Sequence, residues 1–357
     1  MSRAWLISLV LSLVSVVSAA RVDAEPGAQE RPLRIFFIDV QGGAATLLVS
    51  PEGESILIDS GWPGFEDRDP KRIVSVLKDV AGCTQLDHLI TTHWHIDHYG
   101  GVAGLIRRVE IRHFWDRGLP EDNDPRLDFP DGPAADDPLG RAYREASRGK
   151  RTPLKAGDSI AFRGGLIADV LASGGKVAAV LGDSPPPLNP RCDDAPPDQG
   201  PDPSDNARSL AFRFRFGRFD FLDCGDLTWN VEKALVCPVD LVGTIDLYQV
   251  THHGLDSSNH PTLVRTIQPI VAVMNNGPQK GGSPATIRLL RSVPSIEAIY
   301  QLHRNTQTSA DENTDPELIA NLDPSGGRYI QVDVAADGSS FSIQIGPDGA
   351  RRTFTSR

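Results

Sequence analysis

The chain has 357 residues, 39% of them hydrophobic, and a formal charge of −11. That length allows one large domain or two smaller ones, and the composition is that of an ordinary globular protein. The acidic balance argues against long anionic polymers as partners unless a local basic patch exists, and only 141–155 (RAYREASRGKRTPLK) offers one.

The N-terminus reads MSRAWLISLVLSLVSVVSAARVDAE. Arg3, an apolar run over Trp5–Val17 and the small residues Val17–Ala20 predict a secretory signal peptide over 1–20. The run is shorter than the roughly 20 residues of a spanning helix. A polar linker over 21–32 and one large domain over 33–357 are expected to follow, periplasmic or secreted and without a membrane anchor. In an oxidising compartment Cys83, Cys192, Cys224 and Cys237 can pair in three ways. Cys192 with Cys237 is preferred, because both flank a loop-rich region, and Cys83 reads as a buried helix-end residue.

Strands are predicted over 34–40, 45–50 and 55–61, then a helix over 70–82 from its apolar spacing. Residues 86–93 (LDHLITTH) form a strand that delivers ITTHWHIDHYGG (90–101) on a loop at its end. Gly100-Gly101 lets a helix begin close by, and a strand starts at 111. Residues 117–157 break the pattern and read as an inserted lid or rim. GDSIAF and LIADVLAS resume strands, and 182–206 is a second, acidic and Pro-rich insertion. Residues 209–226 alternate as a hairpin ending in Gly-Asp, a helix covers 228–236, and DLYQVTHHG (246–254) is a strand ending in His-His-Gly. Helices near 261–267 and 284–292, strands at IVAVMNN and near 297–302, and a final hairpin turning at Asp337-Gly338 complete the chain. The alternation predicts layered α/β with two sheets.

Metal binding needs several donors converging on one point. His93 and His95 alternate, so their rings can share one side of an extended loop. Asp97 and His98 can serve a second position a few ångströms away. Asp226 and the His252–His253 pair sit where an apolar strand meets glycine, the context of the opening motif. Three strand ends meeting at one sheet edge would gather them.

The ordered set FFIDVQGGAATLL, LIDSG, HWHIDHYGG, NARSLAFRFRFG, DCGDL and HHG, over residues 35–254, resembles the metallo-β-lactamase fold. More narrowly it resembles the hydrolase domain of ComEC-type competence proteins and the phosphorylcholine esterases. The resemblance implies a four-layer αββα sandwich holding two divalent metal ions, zinc in the first place and manganese as the alternative. By position, His93 and His95 would hold one ion, and Asp97, His98 and one His of the pair the other, with His253 preferred. Asp226 would bridge, and Asp59 would orient a ligand from behind. His252 would face the substrate, and Asp97 and His252 would carry proton transfers.

Two departures stand out. Most family members supply another His before the bridging Asp, and only His113 lies in that interval, too close to the first motif. Asn206 would border the vacancy. Ala44 stands where the competence proteins carry Asp, and DNA uptake is not implied. The expected function is a secreted metal-dependent hydrolase whose metal-activated hydroxide attacks a phosphoester or phosphodiester of small size. An amide or lactone hydrolase of the same fold is the alternative, and a metal-binding protein without turnover a third reading. Lys280, in NNGPQKGGSP, is a candidate phosphate contact.

Overall fold

The computed structural model describes Met1 and residues 31–122, 128–134, 136–182 and 184–357. The expected signal peptide and most of the linker lie outside the described residues. No described helix is long and apolar enough to cross a membrane.

The chain builds one sheet, then a second, and returns to the first. The outward leg runs β1 (Leu33–Phe37), β2 (Thr46–Val49), β3 (Ser55–Ile58), β4 (Leu86–Thr91), β5 (Ile111–Asp116) and β6 (Arg151–Pro153). The second sheet takes β7 (Ser159–Ala161), β8 (Ile167–Ser173), β9 (Lys176–Val177), β10 (Ala211–Phe216), β11 (Phe219–Asp223), β12 (Leu247–Gln249), β13 (Val271–Met274), β14 (Ala298–His303) and β15 (Ile319–Asn321). Strands β16 (Ile330–Val334), β17 (Ser340–Ile345) and β18 (Arg352–Thr355) rejoin the first sheet through β1, giving the order β18-β17-β16-β1-β2-β3-β4-β5-β6. In the second sheet β11 to β15 run parallel, so the donors that follow β11 and β12 leave from the same edge.

Side-chain alternation explains the layers. In β3, Ile56 and Ile58 enter the core between the sheets, and Leu57 faces outward. In β10 and β11, Phe212, Phe214, Phe216, Phe219 and Phe221 all enter that same core. Each such side chain contributes about 1.5–3 kcal/mol of burial. The outer face of the first sheet is covered by α1 (Arg68–Ser75), its π-turn continuation Val76–Val80, the short α2 (Ile96–Tyr99) and α3 (Val102–Leu105), and α4 (Pro138–Ser147). Helices α5 (Trp229–Ala234), α6 (Pro261–Ile267) and α7 (Pro284–Arg291) cover the second. The result is the αββα sandwich of the metallo-β-lactamase fold.

Several elements differ from the sequence-based expectation. The segment at 151–153, read as part of an insertion, returns as β6 and pairs with β5. The helix after Gly100-Gly101 is one short turn. A Cβ on Gly101 would stand 1.9 Å from the Ser60 carbonyl oxygen, so the glycine serves close backbone contact there. The basic stretch 141–155 is largely engaged: Arg144 pairs with Glu121, and Arg151 with Asp116 and Asp122. Cys192 and Cys237 are joined, tying the second insertion to the segment after α5, while Cys83 and Cys224 are free.

Glu232 on α5 is fully buried and accepts the His260 amide N–H at 2.8 Å. Burial lifts its carboxyl to about 7, and burial lifts the Asp223 carboxyl to about 7 as well. Both folded values lie above the unfolded ones, so their stabilisation is complete at low pH and is lost as pH rises toward 7. Glu232→Gln cannot ionise. Relative to the parent's, its urea midpoint should rise as pH goes from 5 to 7, and lie above it at pH 8. Metal-free protein followed by circular dichroism checks this.

Candidate metal centre

Donors of the ITTHWHIDHYGG stretch gather around one carboxylate oxygen. Asp226 Oδ2 lies 3.2 Å from His98 Nε2 and 3.2 Å from His253 Nε2. His252 Nε2 stands 3.5 Å from it and His93 Nε2 3.9 Å. Asp97 Oδ2 is 3.4 Å from His98 Nε2 and 3.3 Å from His253 Nε2. The ligand atoms of Asp97, His98, Asp226 and His253 all lie within 4.8 Å of one another, and all four residues are buried.

The other ring nitrogens explain why these face inward. His98 Nδ1 donates to Asp59 Oδ2 at 2.7 Å. His253 Nδ1 donates to the Asn275 carbonyl at 3.1 Å. Thr92 Oγ1 donates to Asp59 Oδ2 at 2.8 Å, which leaves its lone pair for His93 Nδ1 at 3.0 Å. Ser258 Oγ donates to the Leu227 carbonyl at 2.7 Å and so accepts from His252 Nδ1 at 3.0 Å. With Nδ1 carrying the proton in each neutral ring, every Nε2 presents a lone pair. The partners assign these tautomers.

Lone pairs converging on carboxylates are mutually repulsive unless positive charge lies among them. The Nε2 atoms of His93, His98 and His253 are buried and form no hydrogen bond. Orphaned imidazole nitrogens, carboxylates beside them, and second nitrogens fixed from behind are the donor set of a divalent metal ion. The residues present therefore fit the group.

The electrostatics agree. Burial would depress His98, but the Asp226, Asp97 and Asp59 carboxylates hold it well above the usual imidazole range. Burial is likewise outweighed by Asp226 at His253, which is raised. Burial would raise Asp97 and Asp226, yet the surrounding imidazoles, and Lys280 beside Asp97, hold both well below the carboxylate range. His93 and His252 are lowered, chiefly by burial. Protons compete with metal for the same nitrogens, so metal affinity falls with pH.

Local backbone shape builds the site. Asp59, His252 and His253 have φ of 59°, 53° and 54°, a left-handed conformation that costs non-glycine residues of order 1–3 kcal/mol each. The two consecutive left-handed histidines send their rings apart, with centroids 6.0 Å from each other. Gly281, at φ 78°, passes so close that a Cβ would stand 2.1 Å from the His253 carbonyl oxygen. This seats the 277–282 loop on the ligand loop and brings the Lys280 ammonium onto Asp97 Oδ2. The same ammonium lies 5.1 Å from the Trp62 ring centroid.

Not every expected donor joins the cluster. His95 turns its Nε2 to Asp131 Oδ2 at 3.2 Å, although its ring stays 4.8 Å from that of His93. His113 lies on β5 with Nε2 on Thr152 Oγ1 at 3.0 Å. Asn206 Nδ2 reaches His252 Nε2 at 3.3 Å. Asp39 binds Arg72 and His303, both at 2.7 Å, away from the cluster. Thr92, Ser258, Asp131 and Asp205 were not singled out as site residues. Asp205 accepts the Trp94 amide at 2.7 Å and pairs with buried Arg117, holding the second insertion to the opening loop. Thr92 alone had a signal, its place beside the first His.

Comparison with known proteins agrees with the fold. Residues 38–174 match the model of the Metallo-beta-lactamase superfamily. A 67-residue stretch is 42% identical to the atrochrysone carboxyl ACP thioesterase of Aspergillus terreus (strain NIH 2624 / FGSC A1156), covering 18% of this chain and 19% of that one. The chain thus matches about a fifth of the length of that relative. Among solved structures, the metallo-beta-lactamase fold protein YhfI from Bacillus subtilis is similar at 12% identity and TM-score 0.43, over 75% of this chain and 96% of that one. A putative metal-dependent hydrolase from Parabacteroides distasonis ATCC 8503 is similar at 16% identity and TM-score 0.41, over 75% and 92%. The chain is a protein of the metallo-β-lactamase fold with a buried cluster of residues that could hold a metal ion, and that fold generally serves metal-dependent hydrolases.

Proposed function

We propose that the chain is an exported metal-dependent hydrolase of small phosphoesters or phosphodiesters, holding two divalent ions, zinc in the first place. The observation that carries this reading is the Lys280 ammonium held against Asp97 at the edge of the donor cluster. A fixed cation beside the ions suits an ester that is itself an anion. Divalent ions held here would polarise the ester and supply a nucleophile from water at neutral pH. The chain's own part is to orient: Asp59, Thr92, Asn275 and Ser258 fix the imidazoles. Asp97, a carboxylate at the edge of the cluster, takes the proton of the attacking water. The pairing of Cys192 with Cys237 supports export, since such bonds persist in oxidising compartments. The acidic surface and the engaged basic stretch support a small substrate over nucleic acid.

A second reading, acyl hydrolysis of an amide, lactone or thioester, is favoured by the short match to a thioesterase. Purified protein with its metal content measured should be assayed on mono- and bis-(p-nitrophenyl) phosphate, a chromogenic lactam and an acyl thioester. Turnover of the phosphates is expected; turnover of the acyl compounds alone would replace the proposal. Bound metal without any turnover would favour a non-catalytic binding protein. Lys280→Gln should lower kcat/KM for the anionic diester by roughly 10–100-fold, the scale of a hydrogen bond to a charged group. A neutral aryl ester should lose far less at equal metal content.

A further inference from the structure

The His93 side of Asp226 is short of donors. The family pattern would add a His there, and His113, on β5, is committed to Thr152 on β6. His95 has its Nε2 on Asp131. We propose that His252 is a metal ligand on the His93 side of Asp226, taking the place of the histidine that the interval between the first motif and Asp226 lacks. This rests on the reading of the centre as a two-ion site.

Three observations carry it. First, His252 is held as the other inward-facing imidazoles are. Ser258 Oγ, having donated to Leu227, fixes the Nδ1 proton and leaves the Nε2 lone pair 3.5 Å from Asp226 Oδ2. A neutral ring with its proton held on Nδ1 offers Nε2 as a ligand atom. Second, the backbone is left-handed at both His252 and His253, so adjacent residues serve opposite sides of one carboxylate. His253 goes toward Asp97 at 3.3 Å, and His252 toward Asn206 at 3.3 Å. Third, the Asn206 segment lies against the opening loop. Leu210 N–H bonds the Thr92 carbonyl at 2.9 Å, and Trp94 N–H bonds Asp205 at 2.7 Å. The side that His252 faces is therefore the side of His93. Its looser spacing around Asp226, 3.5 and 3.9 Å against 3.2 Å, makes this the weaker of the two positions.

The test is metal stoichiometry, read without reference to turnover. The chain purified after export is stripped and dialysed against zinc, and bound metal is counted by elemental analysis. A second sample is titrated with Co(II) and its visible spectrum followed. The parent should bind two ions. His252→Ala and His252→Gln should each bind one with an unchanged circular dichroism spectrum, and should lose the spectral change of the second Co(II) equivalent. Added imidazole should restore the second ion to His252→Ala. Two ions with an unaltered Co(II) spectrum in either variant would overturn the assignment. So would loss of both ions with the fold intact, failure of imidazole to restore binding, or a parent that saturates at one ion. A parent that binds two ions and cleaves no ester would defeat the hydrolase reading and leave this one standing.

Discussion

Asp226→Ala should bind neither ion and should lose more rate than the roughly 10²–10³-fold that deletion of one charge-stabilising donor costs. The expectation follows from how many groups converge on a single oxygen. His98 and His253 stand 3.2 Å from Asp226 Oδ2, and His252 and His93 lie slightly farther off. Removing that oxygen leaves two half-sites of neutral imidazoles with Asp97 as the remaining nearby carboxylate. Elemental analysis of the purified variant beside a phosphodiester assay checks it. Full metal content in Asp226→Ala would contradict the bridging role. Asp226→Asn keeps the shape and removes the charge, and should bind at most one ion weakly.

The second large effect belongs to the disulfide. Cys192 and Cys237 close a loop of 45 residues, and the chain-entropy estimate for that length is about 4 kcal/mol. Replacing both by Ser should lower unfolding stability by about that amount, measured by urea denaturation of the metal-loaded protein. The loss should reach the site as well. Residues between the bridge and β10 include Asp205 and Asn206, which touch Trp94 and His252. The variant should therefore lose the weaker ion before it loses its fold.

Much of this was legible in the sequence, and the reasons differ by element. The inner sheets showed because Ile56, Leu57 and Ile58, or Phe212, Phe214 and Phe216, lie in runs where apolar residues mark a strand. The expected sandwich is the fold found. The donors showed because His93, Asp97 and His98 crowd one loop and Asp226 and the histidine pair each follow an apolar strand. The three-residue β6 and β15 carry too few positions to show a period and were missed. The pairing of Cys192 with Cys237 was preferred only from its loop-rich surroundings. Groups such as Ser258 and Asp131 act through tertiary contact alone, and no local pattern announces that. His95 is the converse: its place in the motif says ligand, while Asp131, 36 residues on, claims its outer nitrogen.

The return of the chain to its first sheet has a consequence for how the molecule is made. Strand β1 pairs with β16, Leu33 opposite Val334, across roughly 300 residues of intervening chain. Pairing at such separation is slow, and a ribosome must release nearly the whole polypeptide before it can occur. Until then the edge of β1 is open to strands of other molecules. A product clipped before β16 would keep the first metal-binding loop and Asp226, yet should aggregate, because that exposed edge is never capped.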